Sequence, residues 1–501
     1  MTGGGPARIR VEALPAGLRG VLERLSALLG SEPAWLIGGA VRDALLGEAV
    51  SEADVAVTRG ALALGRGLAD AVPGAAFVAL DEERGICRVL CGVQVDIADL
   101  RAPTLDDDLR GRDFTVNALA VPLHDLVRRG EARVEDATGG LGDLAARVAR
   151  PCSPGAIRDD PVRALRGVRL AIGPGWRLHP SGEAAIQASA SLVASVAAER
   201  ARDEIAAILS RPNAGAGLRL LDRLGVLPSL LPESAAMRST PQPEPHRFDV
   251  WEHSMRAVES MDEVLGDLAG LGQDERGLEA HLDEALGDGF ARREVLKLAA
   301  LLHDVAKPET RRAHGGRIRF LGHDVLGAER AGAVARRWRL SRRATTVLER
   351  LVAEHLRPMH LAAAGEVTRR ARYRFFRDLG DEARDLVLLA LADASAVRGE
   401  APLAVWRGSG GAILHELMRG AREEGRAAET PALVRGEDVM AAFSLAPGPA
   451  VGRLLARARE AQALGLVRSR SEALEYLRQS ALDQGYDMSP VDDRRPEADG
   501  E

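Results

Sequence analysis

Two carboxylates one residue apart, Glu52 and Asp54, lie in the mostly apolar stretch "SEADVAV". Side chains at positions i and i+2 of a strand point to the same face, so both carboxylates would face the same way. Asp96 in "VQVDIADL" has similar apolar neighbours, as expected of an adjacent strand in the same sheet. Three converging carboxylates could bind two magnesium ions, one activating a nucleophile and the other stabilising a leaving phosphate. Solvated acids at a strand edge are the alternative interpretation.

The pair Gly38-Gly39 follows a predicted strand, "AWLI", and precedes a helix that is predicted to begin near Val41. Backbone N–H groups at a helix start can approach a phosphate chain, and Arg42 could pair with phosphate oxygens. A tight strand-to-helix turn with no ligand explains the glycines equally well.

Three arginines, Arg163, Arg166 and Arg169, follow Pro161 in "RDDPVRALRGVRLA". At helical spacing they fall on roughly one face, which would form a basic stripe for phosphates. A solvated arginine face is the usual alternative, but the proline at the helix start favours an ordered role.

Histidines and acids recur in the second half of the chain in segments that are predicted to be helical. Imidazole and carboxylate groups so placed suit a mononuclear or dinuclear transition-metal site that activates water. The candidate ligands are His253, His303, Asp304, His323, His355 and Asp393. Lys307 is one of two lysines in a chain with 67 basic residues, which favours a point contact to phosphate over a role that arginine could fill. A structural lysine is the alternative.

Short β-branched runs alternate with helical segments up to about residue 145, which predicts an α+β domain on a small mixed sheet. From there onward, apolar residues recur at helical spacing, so the rest is predicted to be all-α. Proline-rich residues 233–249 are predicted to link two domains.

The composition limits the classes of protein and the location of the chain. A net charge of −6 gives no bulk attraction to nucleic acid, so any RNA contact must come from a local basic face. No run approaches the ~18 to 20 apolar residues of a membrane helix, and the N-terminus lacks a cleavable apolar signal, so we expect a cytoplasmic protein without a membrane partner. Three cysteines without a Cys-x-x-Cys pair argue against a disulfide framework or a zinc ribbon.

The blocks "RDFTVNA" at 112–118, "TGGLGDL" at 138–144 and "ERARDEI" at 199–205 follow the glycine turn and the acidic pair in order. In this order the chain resembles the class II tRNA nucleotidyltransferases, the CCA-adding enzymes, and the related bacterial poly(A) polymerases, over roughly residues 30 to 235. The resemblance implies addition of C and/or A to the tRNA 3′ end from CTP and ATP, with Mg2+ as cofactor.

The resemblance also implies roles for individual residues. Glu52 and Asp54, with Asp96, would be catalytic, and the first two would hold magnesium. Asp160 and Arg163 would match the family's amino-acid template, in which a carboxylate and an arginine hydrogen-bond the base edge. The remaining nucleotide-binding residues implied by the resemblance are Gly38, Gly39, Arg42, Arg112, Asp113, Asn117, Arg166 and Arg169.

Two departures from the family pattern affect the expected activity. Glu52 stands where the family has Asp, and a shift of about an ångström can cost a factor on the order of a hundred in rate. The connection from Asp96 to the Arg-Asp-Phe-Thr block is short, which favours a CC-adding member over a full CCA enzyme.

The histidine pattern resembles the HD phosphohydrolase superfamily, with His253, His303, Asp304 and Asp393 as core ligands and His323 and His355 as further ligands or phosphate contacts. A divalent Mn, Ni, Fe or Co ion is implied, together with phosphatase or phosphodiesterase activity on RNA ends. The predicted domains are a nucleotidyltransferase head at 20–145, a helical neck at 146–235, an HD domain at 236–400, a helical region at 401–485 and a disordered tail at 486–501.

Two alternatives remain at this point, and the oligomeric state is open. The first is an HD phosphohydrolase whose head has decayed into an RNA-binding module. The second is a poly(A) polymerase, which the acidic net charge and the absence of a basic tail disfavour.

Overall fold

The computed structural model describes residues 7–272, 275–315, 317–363, 367–428 and 431–482. The tail that is predicted to be disordered, 486–501, lies outside these residues. The chain divides into two compact units, Met1–Ala235 with Arg337–Arg339, and Ala236–Arg336 with Leu340–Glu501.

The first unit contains a sheet with flanking helices, followed by a helical region. Its strands are β1 Arg8–Arg10, β2 Ala34–Ile37, β3 Glu52–Val57, β4 Ala76–Asp81, β5 Ile86–Leu90, β6 Gln94–Asp99, β7 Leu119–Pro122, β8 Glu131–Arg133, β9 Glu135–Asp136, β10 Val148–Ala149 and β11 Arg177–Leu178. Its helices are α1 Ala16–Leu29, α2 Gly39–Leu46, α3 Ala61–Ala71, α4 Leu105–Arg110, α5 Leu123–Arg129, α6 Gly140–Ala145, α7 Ala156–Asp159, α8 Arg163–Ala171, α9 Pro180–Ser189, α10 Ala198–Leu209, α11 Ala214–Arg223 and α12 Val226–Leu230, and α13 Ser234–Arg238 spans the boundary.

Seven strands form one mixed sheet in the order β4-β5-β6-β3-β2-β7-β9. The pair β3–β6 is parallel and its neighbours are antiparallel. Strand β3 alternates, with Ala53, Val55 and Val57 buried against the core, so Glu52 and Asp54 face the other way. Helix α3 packs on β5 and β6. The predicted α+β head with a mixed sheet is confirmed.

Helices α8, α10 and α11 pack on one another after the sheet. Leu165, Val168 and Ile208 are fully buried in this region, so apolar burial holds α8 against its neighbours. The short parallel pair β10–β11 lies in the same region and was not predicted, because two-residue strands carry no periodic signal.

The second unit is helical, as predicted, apart from two short hairpins. Its elements are α14 Val250–Gly266, α15 Glu275–Leu282, β12 Ala285–Gly287, β13 Phe290–Ala291, α16 Arg292–Leu302, α17 Lys307–Thr310, β14 Arg312–His314, β15 Arg317–Arg319, α18 His323–Arg337, α19 Arg342–Glu354, α20 Arg357–Ala363, α21 Arg369–Leu379, α22 Glu382–Arg398, α23 Pro402–Arg407, α24 Ala412–Ala428, α25 Gly436–Phe443, α26 Pro449–Ala463 and α27 Arg470–Leu482.

Helix α22 lies at the centre of the second unit. It is apolar around most of its circumference, and it packs on α14, α16 and α19. A separate small core, built from α25, α26 and α27, closes around Val439, Ala458 and Leu477. Among the described residues, no helix is long and apolar enough to cross a membrane.

Candidate active site and candidate metal centre

Three carboxylates meet along β3 and β6 because the parallel register places Asp54 directly beside Asp96. With Glu52 they line a cavity of about 440 Å³. The Gln94 amide donates to Glu52 Oε2 at 2.9 Å, and the Arg88 guanidinium donates to both oxygens of Asp96 at 2.8 Å. The fold therefore brings Glu52 and Asp54 together with Asp96, and Asp96 also pairs with the positively charged Arg88.

The electrostatics around Asp54 fit a bound cation. Burial, together with the neighbouring charges of Asp96 and Glu52, raises the pKa of Asp54 to about 6 despite the opposing charge of Arg112. The donor set contains carboxylate oxygens, which are the ligands that Mg2+ prefers. Glu52, Asp54 and Asp96 are thus suited to hold magnesium.

Gly38 is required at the turn between β2 and α2. Its φ of +74° favours glycine, and an added Cβ would lie 3.0 Å from Asp54 Oδ2. Arg42 lies one turn into α2, where its guanidinium donates to both oxygens of Asp43 and, at 2.6 Å, to Asn117 Oδ1. The glycine turn, Arg42 and Asn117 therefore form one wall of the cavity.

Asp113 joins the Arg-Asp-Phe-Thr block to helix α8. It is buried, accepts a hydrogen bond from Arg166 Nη1 at 2.9 Å, and also accepts from the Phe114 amide. Burial alone would raise its pKa, but Arg166 holds the pKa of Asp113 below its usual value. Glu204 on α10 accepts from Arg166 at 2.9 Å and from Arg169 at 2.7 Å. The predicted arginine stripe lines the cavity, but all three of its members are ion-paired, so it is not a solvated face.

Asp160 and Arg163 are held in place by other groups. Arg163 is 9% exposed, and it donates to the backbone carbonyls of Gly111, Arg112 and Ala156 at 3.2 Å. Arg200, on α10, donates to both oxygens of Asp160 at 3.0 and 2.8 Å. Burial opposes ionisation, but the Arg200 hydrogen bonds lower the pKa of Asp160, so its carboxylate stays charged. A charged acceptor and a buried donor therefore lie rigidly at one side of the cavity.

The second unit gathers all six predicted metal ligands. They come from the N-terminal part of α14, the end of α16, the start of α18, the end of α19 and the middle of α22. His253 Nε2 lies 3.2 Å from His303 Nε2 and 3.1 Å from Asp393 Oδ1. Asp304 Oδ2 lies 3.2 Å from His303 Nε2, and its Oδ1 lies 3.4 Å from His323 Nε2 and 3.8 Å from His355 Nε2. Asp304 is thus the carboxylate common to two ligand groups.

The chemistry of these side chains fits divalent transition metals. His303, His323 and His355 each donate from Nδ1 to a backbone carbonyl, which directs Nε2 into the cluster. Nε2 of His323 and of His355 is buried and has no hydrogen-bond partner among the described residues. Burial, followed by the charge of His303, lowers the pKa of His355 to about 4, so its ring is neutral and able to coordinate. These unpaired nitrogens would be used if two metal positions shared Asp304.

A cavity of about 550 Å³ opens onto this cluster. Lys307 Nζ donates to Asp304 Oδ2 at 2.6 Å and to Gln242 Oε1 at 2.7 Å, and it also lines the cavity. Lys307 therefore has a structural partner and faces the site, so both predicted roles stay open to it. His246 packs edge-on against His253 and lines the cavity as well.

Comparison with known protein families and with individual relatives shows which protein family the chain belongs to. "Poly A polymerase head domain" matches residues 34–150, "Probable RNA and SrmB- binding site of polymerase A" matches 175–237, and "HD domain" matches 250–397. The A-adding tRNA nucleotidyltransferase of Deinococcus radiodurans is 38% identical over 456 residues, which cover 89% of this chain and 95% of that protein. The chain belongs to the tRNA nucleotidyltransferase family.

Other relatives agree with this assignment. The CC-adding tRNA nucleotidyltransferase of Thermus thermophilus is 34% identical, covering 89% of this nucleotidyltransferase and 93% of that protein. The solved Thermotoga maritima CCA-adding enzyme complexed with tRNA has a TM-score of 0.58 at 19% identity, covering 94% of this chain and 97% of that chain, which supports the fold. The predicted family and enzyme class are confirmed, and neither alternative function is favoured. Both domain types imply dependence on divalent metal ions.

Sequence reasoning did not predict four residues that line or support the two cavities. Three of them, Arg88, Arg200 and Glu204, form pairs with predicted site residues. The partners lie 8 to 40 positions apart in the sequence, and no local pattern indicates such pairs. The segment "ERARDEI" that carries Arg200 and Glu204 was noticed only as part of the resemblance. His246 lies in a proline-rich stretch that was predicted to be a linker, yet a histidine in a chain with 11 of them was a usable signal.

If Asp54 binds the divalent metal ion, we expect the metal requirement of this nucleotidyltransferase to depend on pH, with magnesium as the ion tested. The pKa of Asp54 in the folded protein, about 6, exceeds the ordinary aspartate value of 3.8, so protons compete with the metal below pH 6. The magnesium concentration that gives half-maximal incorporation should rise toward tenfold per pH unit below that value. Without magnesium, the free energy of unfolding should fall as pH rises from 3.8 to about 6. A half-maximal concentration unchanged between pH 7 and pH 5 would contradict this assignment.

Proposed function

We propose that this chain adds part of the CCA end to tRNA, either CC or A, using CTP or ATP and releasing pyrophosphate. The observation that carries the chemistry is the group Glu52, Asp54 and Asp96 beside the arginine-lined nucleotide cavity. The two relatives described above, which match along almost their whole length, are named A-adding and CC-adding, and neither is named for the complete CCA sequence. The short connection after Asp96 fits the same restriction. We infer a cytoplasmic location, where tRNA, CTP and ATP are available.

In this proposal, Glu52 and Asp54 hold magnesium at the end of the tRNA 3′ strand, and Asp96 supports them from β6. Magnesium, when bound, lowers the pKa of the attacking 3′-hydroxyl and neutralises the leaving pyrophosphate. Gly38 and Gly39 let the triphosphate approach the start of α2, and Arg42 fixes the cavity wall through Asn117. Arg112 and Asp113 shape the pocket beneath the nucleotide.

Asp160 and Arg163 would select the base, Asp160 accepting from an exocyclic amine and Arg163 donating to a ring or carbonyl acceptor. Three of the five N–H donors of Arg163 go to backbone carbonyls, so its orientation is set before a base arrives. The bidentate Arg200 pair does the same for Asp160. Arg166 and Arg169, tied to Glu204, position α8 rather than act as mobile phosphate contacts.

The direct test of this activity uses purified protein, magnesium and labelled CTP or ATP with two tRNAs, one that lacks its CCA end and one that already ends in CC. Incorporation of one to two residues into tRNA, and none into an unrelated RNA, is the expected result. Long tails from ATP on unrelated RNA would instead indicate a poly(A) polymerase. Failure to incorporate either nucleotide would overturn the proposal.

Glu52 tests how strictly the site depends on the length of its acidic side chain. Glu52 is exposed and is held by a hydrogen bond from Gln94, so the strand start can accommodate either chain length. We expect Glu52→Asp to change kcat/KM for incorporation by less than about threefold, while Glu52→Ala should lower it on the order of a hundredfold. A sharp gain for Glu52→Asp would show that the longer side chain displaces the metal.

We propose a second activity, metal-dependent hydrolysis of a phosphate ester at the HD site. It is favoured by two buried ligand groups that share Asp304 and by the unpaired Nε2 atoms of His323 and His355. Mn, Ni, Fe or Co ions suit these imidazole-rich ligands. His253, His303, Asp304 and Asp393 would form one position, and Lys307 would stabilise a phosphate oxygen at the cavity wall. Release of phosphate that requires added transition metal would support this activity.

A further inference from the structure

The hairpin β14–β15 connects two residues that line the HD cavity. Lys307 begins α17 just before the hairpin, and His323 begins α18 just after it. The returning strand ends at Arg319. The next residue is Phe320, whose ring lies 5.5 Å from Lys307 Nζ and whose carbonyl accepts from His323 Nδ1 at 2.6 Å. The base of the hairpin is therefore in contact with the wall of the cavity, and its other residues extend from that point.

The hairpin carries positive charge without compensation. Residues 311–321 read "RRAHGGRIRFL", with four arginines and no acid, in a chain whose net charge is −6. Arg311, Arg312, Arg317 and Arg319 are all exposed. The acid that precedes them, Glu309, is already paired with Arg330.

Arg312 and Arg319 lie directly opposite each other in the antiparallel register. Arg317 is two residues from Arg319, so alternation places these three side chains on one face of the ribbon. Like charges directly opposite on a two-stranded ribbon are destabilising, and an isolated ribbon is marginal to begin with. Among the described residues, no carboxylate forms an ion pair with Arg312, Arg317 or Arg319; Arg312 instead donates to the backbone carbonyls of Glu309 and Arg311. Such an arrangement is stabilised when a polyanion lies across it.

The apolar residues beside the arginines suit a nucleic acid better than a small anion. Leu321 is 76% exposed, and the partly buried Ile318 and Phe320 lie on the opposite face from the arginines. Leu356, Met359 and Val397 also line the cavity, whose volume of about 550 Å³ could hold one nucleoside. A free mononucleotide in that cavity would leave most of the arginine face of the hairpin without a phosphate partner. A longer RNA would reach these arginines.

We propose that the β14–β15 hairpin binds the phosphodiester backbone of single-stranded RNA and delivers its end to the HD cavity. The substrate class of the HD site is then an RNA that ends in a phosphate ester, not a free nucleotide. This inference rests on the proposed hydrolase function for its catalytic consequence, while the binding it requires is independent of hydrolysis.

The test compares Arg317→Gln/Arg319→Gln with a matched control, Arg276→Gln/Arg342→Gln, in the full-length protein. Arg276 is an exposed arginine on α15, and Arg342 is exposed at the opposite end of α19 from His355. Both variants should keep the Tm of the wild-type protein. The probes are a 12-nucleotide RNA with a 2′,3′-cyclic phosphate end, the same RNA with a 3′-phosphate, and the corresponding mononucleotides.

For hydrolysis, kcat/KM on the oligonucleotides should fall at least tenfold in the hairpin variant and not in the control, with unchanged values on the mononucleotides. For binding, measured with chelator by fluorescence anisotropy on the 3′-phosphate RNA, the hairpin variant should bind at least fivefold more weakly. The slope of log affinity against log salt should decrease in magnitude by about 1.4, since each phosphate contact on a single strand contributes ~0.7.

The outcomes separate the two proposals. Loss of RNA affinity in the hairpin variant, with no hydrolysis of any probe by wild-type protein, would overturn the hydrolase function and keep the hairpin as an RNA contact. Equal RNA affinity of the hairpin and control variants would overturn the hairpin inference, whether or not the site hydrolyses the mononucleotide. An equal fall on oligonucleotide and mononucleotide would also overturn it, since the hairpin would then act on the cavity itself.

Discussion

Replacing Asp54 with asparagine is expected to lower incorporation of CMP or AMP into tRNA by on the order of 10³-fold. Asp54 is the most confined of the three carboxylates, lying beside Asp96 in register and against Gly38, so no other acid can take its place. Asparagine keeps the volume of the side chain and removes its charge, and burial favours the neutral form, so the fold should not suffer.

The matched control for that substitution is Asp70→Asn, which removes an exposed carboxylate from the surface of α3 in the same unit. It should keep incorporation within about twofold of wild type, as surface substitutions usually change little. Single-turnover incorporation at saturating nucleotide separates the chemical step from nucleotide binding. If Asp54→Asn retained a tenth or more of the wild-type rate, the acidic group would not be the metal site.

The second large effect is expected at Asp304, which belongs to both ligand groups of the HD site. Wild-type protein loaded with manganese and desalted should retain two ions per chain. His323→Ala should retain one, because it removes a ligand from one group only, and Asp304→Asn should retain none. Phosphate-ester hydrolysis should fall by at least 10³-fold in Asp304→Asn, where neither metal position is complete.

Asp304 is buried and accepts a hydrogen bond from Lys307, so its substitution could also disturb folding. His323→Ala gives a measurement of metal content that does not depend on disturbed folding. His323 lies at the start of α18, and its Nε2 has no described hydrogen-bond partner. The control is His360→Ala, an exposed histidine on α20. Retention of both ions by His323→Ala would contradict a site with two metal positions, and nucleotidyl transfer should be unaffected by all three substitutions.

The elements that carry strong periodic signals were predictable from the sequence. Strand β3 was predicted because its alternation puts Glu52 and Asp54 on one face, and the helical spacing of Arg163, Arg166 and Arg169 predicted α8. The clustering of the candidate metal ligands was predictable because histidines are rare in this chain and those of the cluster lie in a helical pattern or at its end. These are local patterns, and the fold follows them.

What the sequence could not indicate depends on pairing between distant elements. The arginine stripe predicted for phosphates is occupied in part by Glu204, which comes from a different helix. Asp96 proved to carry Arg88 as a partner, although both were visible as separate strand residues. The hairpin β14–β15 was missed because its strands are three residues long and half of their residues are arginine, without the β-branched run that predicts a strand.

The proposed restriction of the head to CC or to A would have a consequence for the reaction sequence. A chain that adds only CC leaves an end that a separate A-adding activity must complete, and a chain that adds only A needs a tRNA that already ends in CC. Either way, a second nucleotidyltransferase must supply or consume the intermediate ending in CC. The rigid Asp160–Arg200 and Arg163 contacts are consistent with a pocket that does not change its base preference during synthesis.

The most direct measurement uses three tRNA substrates, ending at the discriminator base, at the first C and at CC, each incubated with CTP, with ATP and with both. Addition of only part of the CCA end predicts one of two patterns: CTP extends the first two substrates and stops at CC, or ATP extends only the third by a single residue. Completion of CCA from the discriminator base when both nucleotides are present would contradict the partial-addition proposal. Absence of extension on all three substrates, with Asp54→Asn identical to wild type, would contradict nucleotidyl transfer by this site altogether.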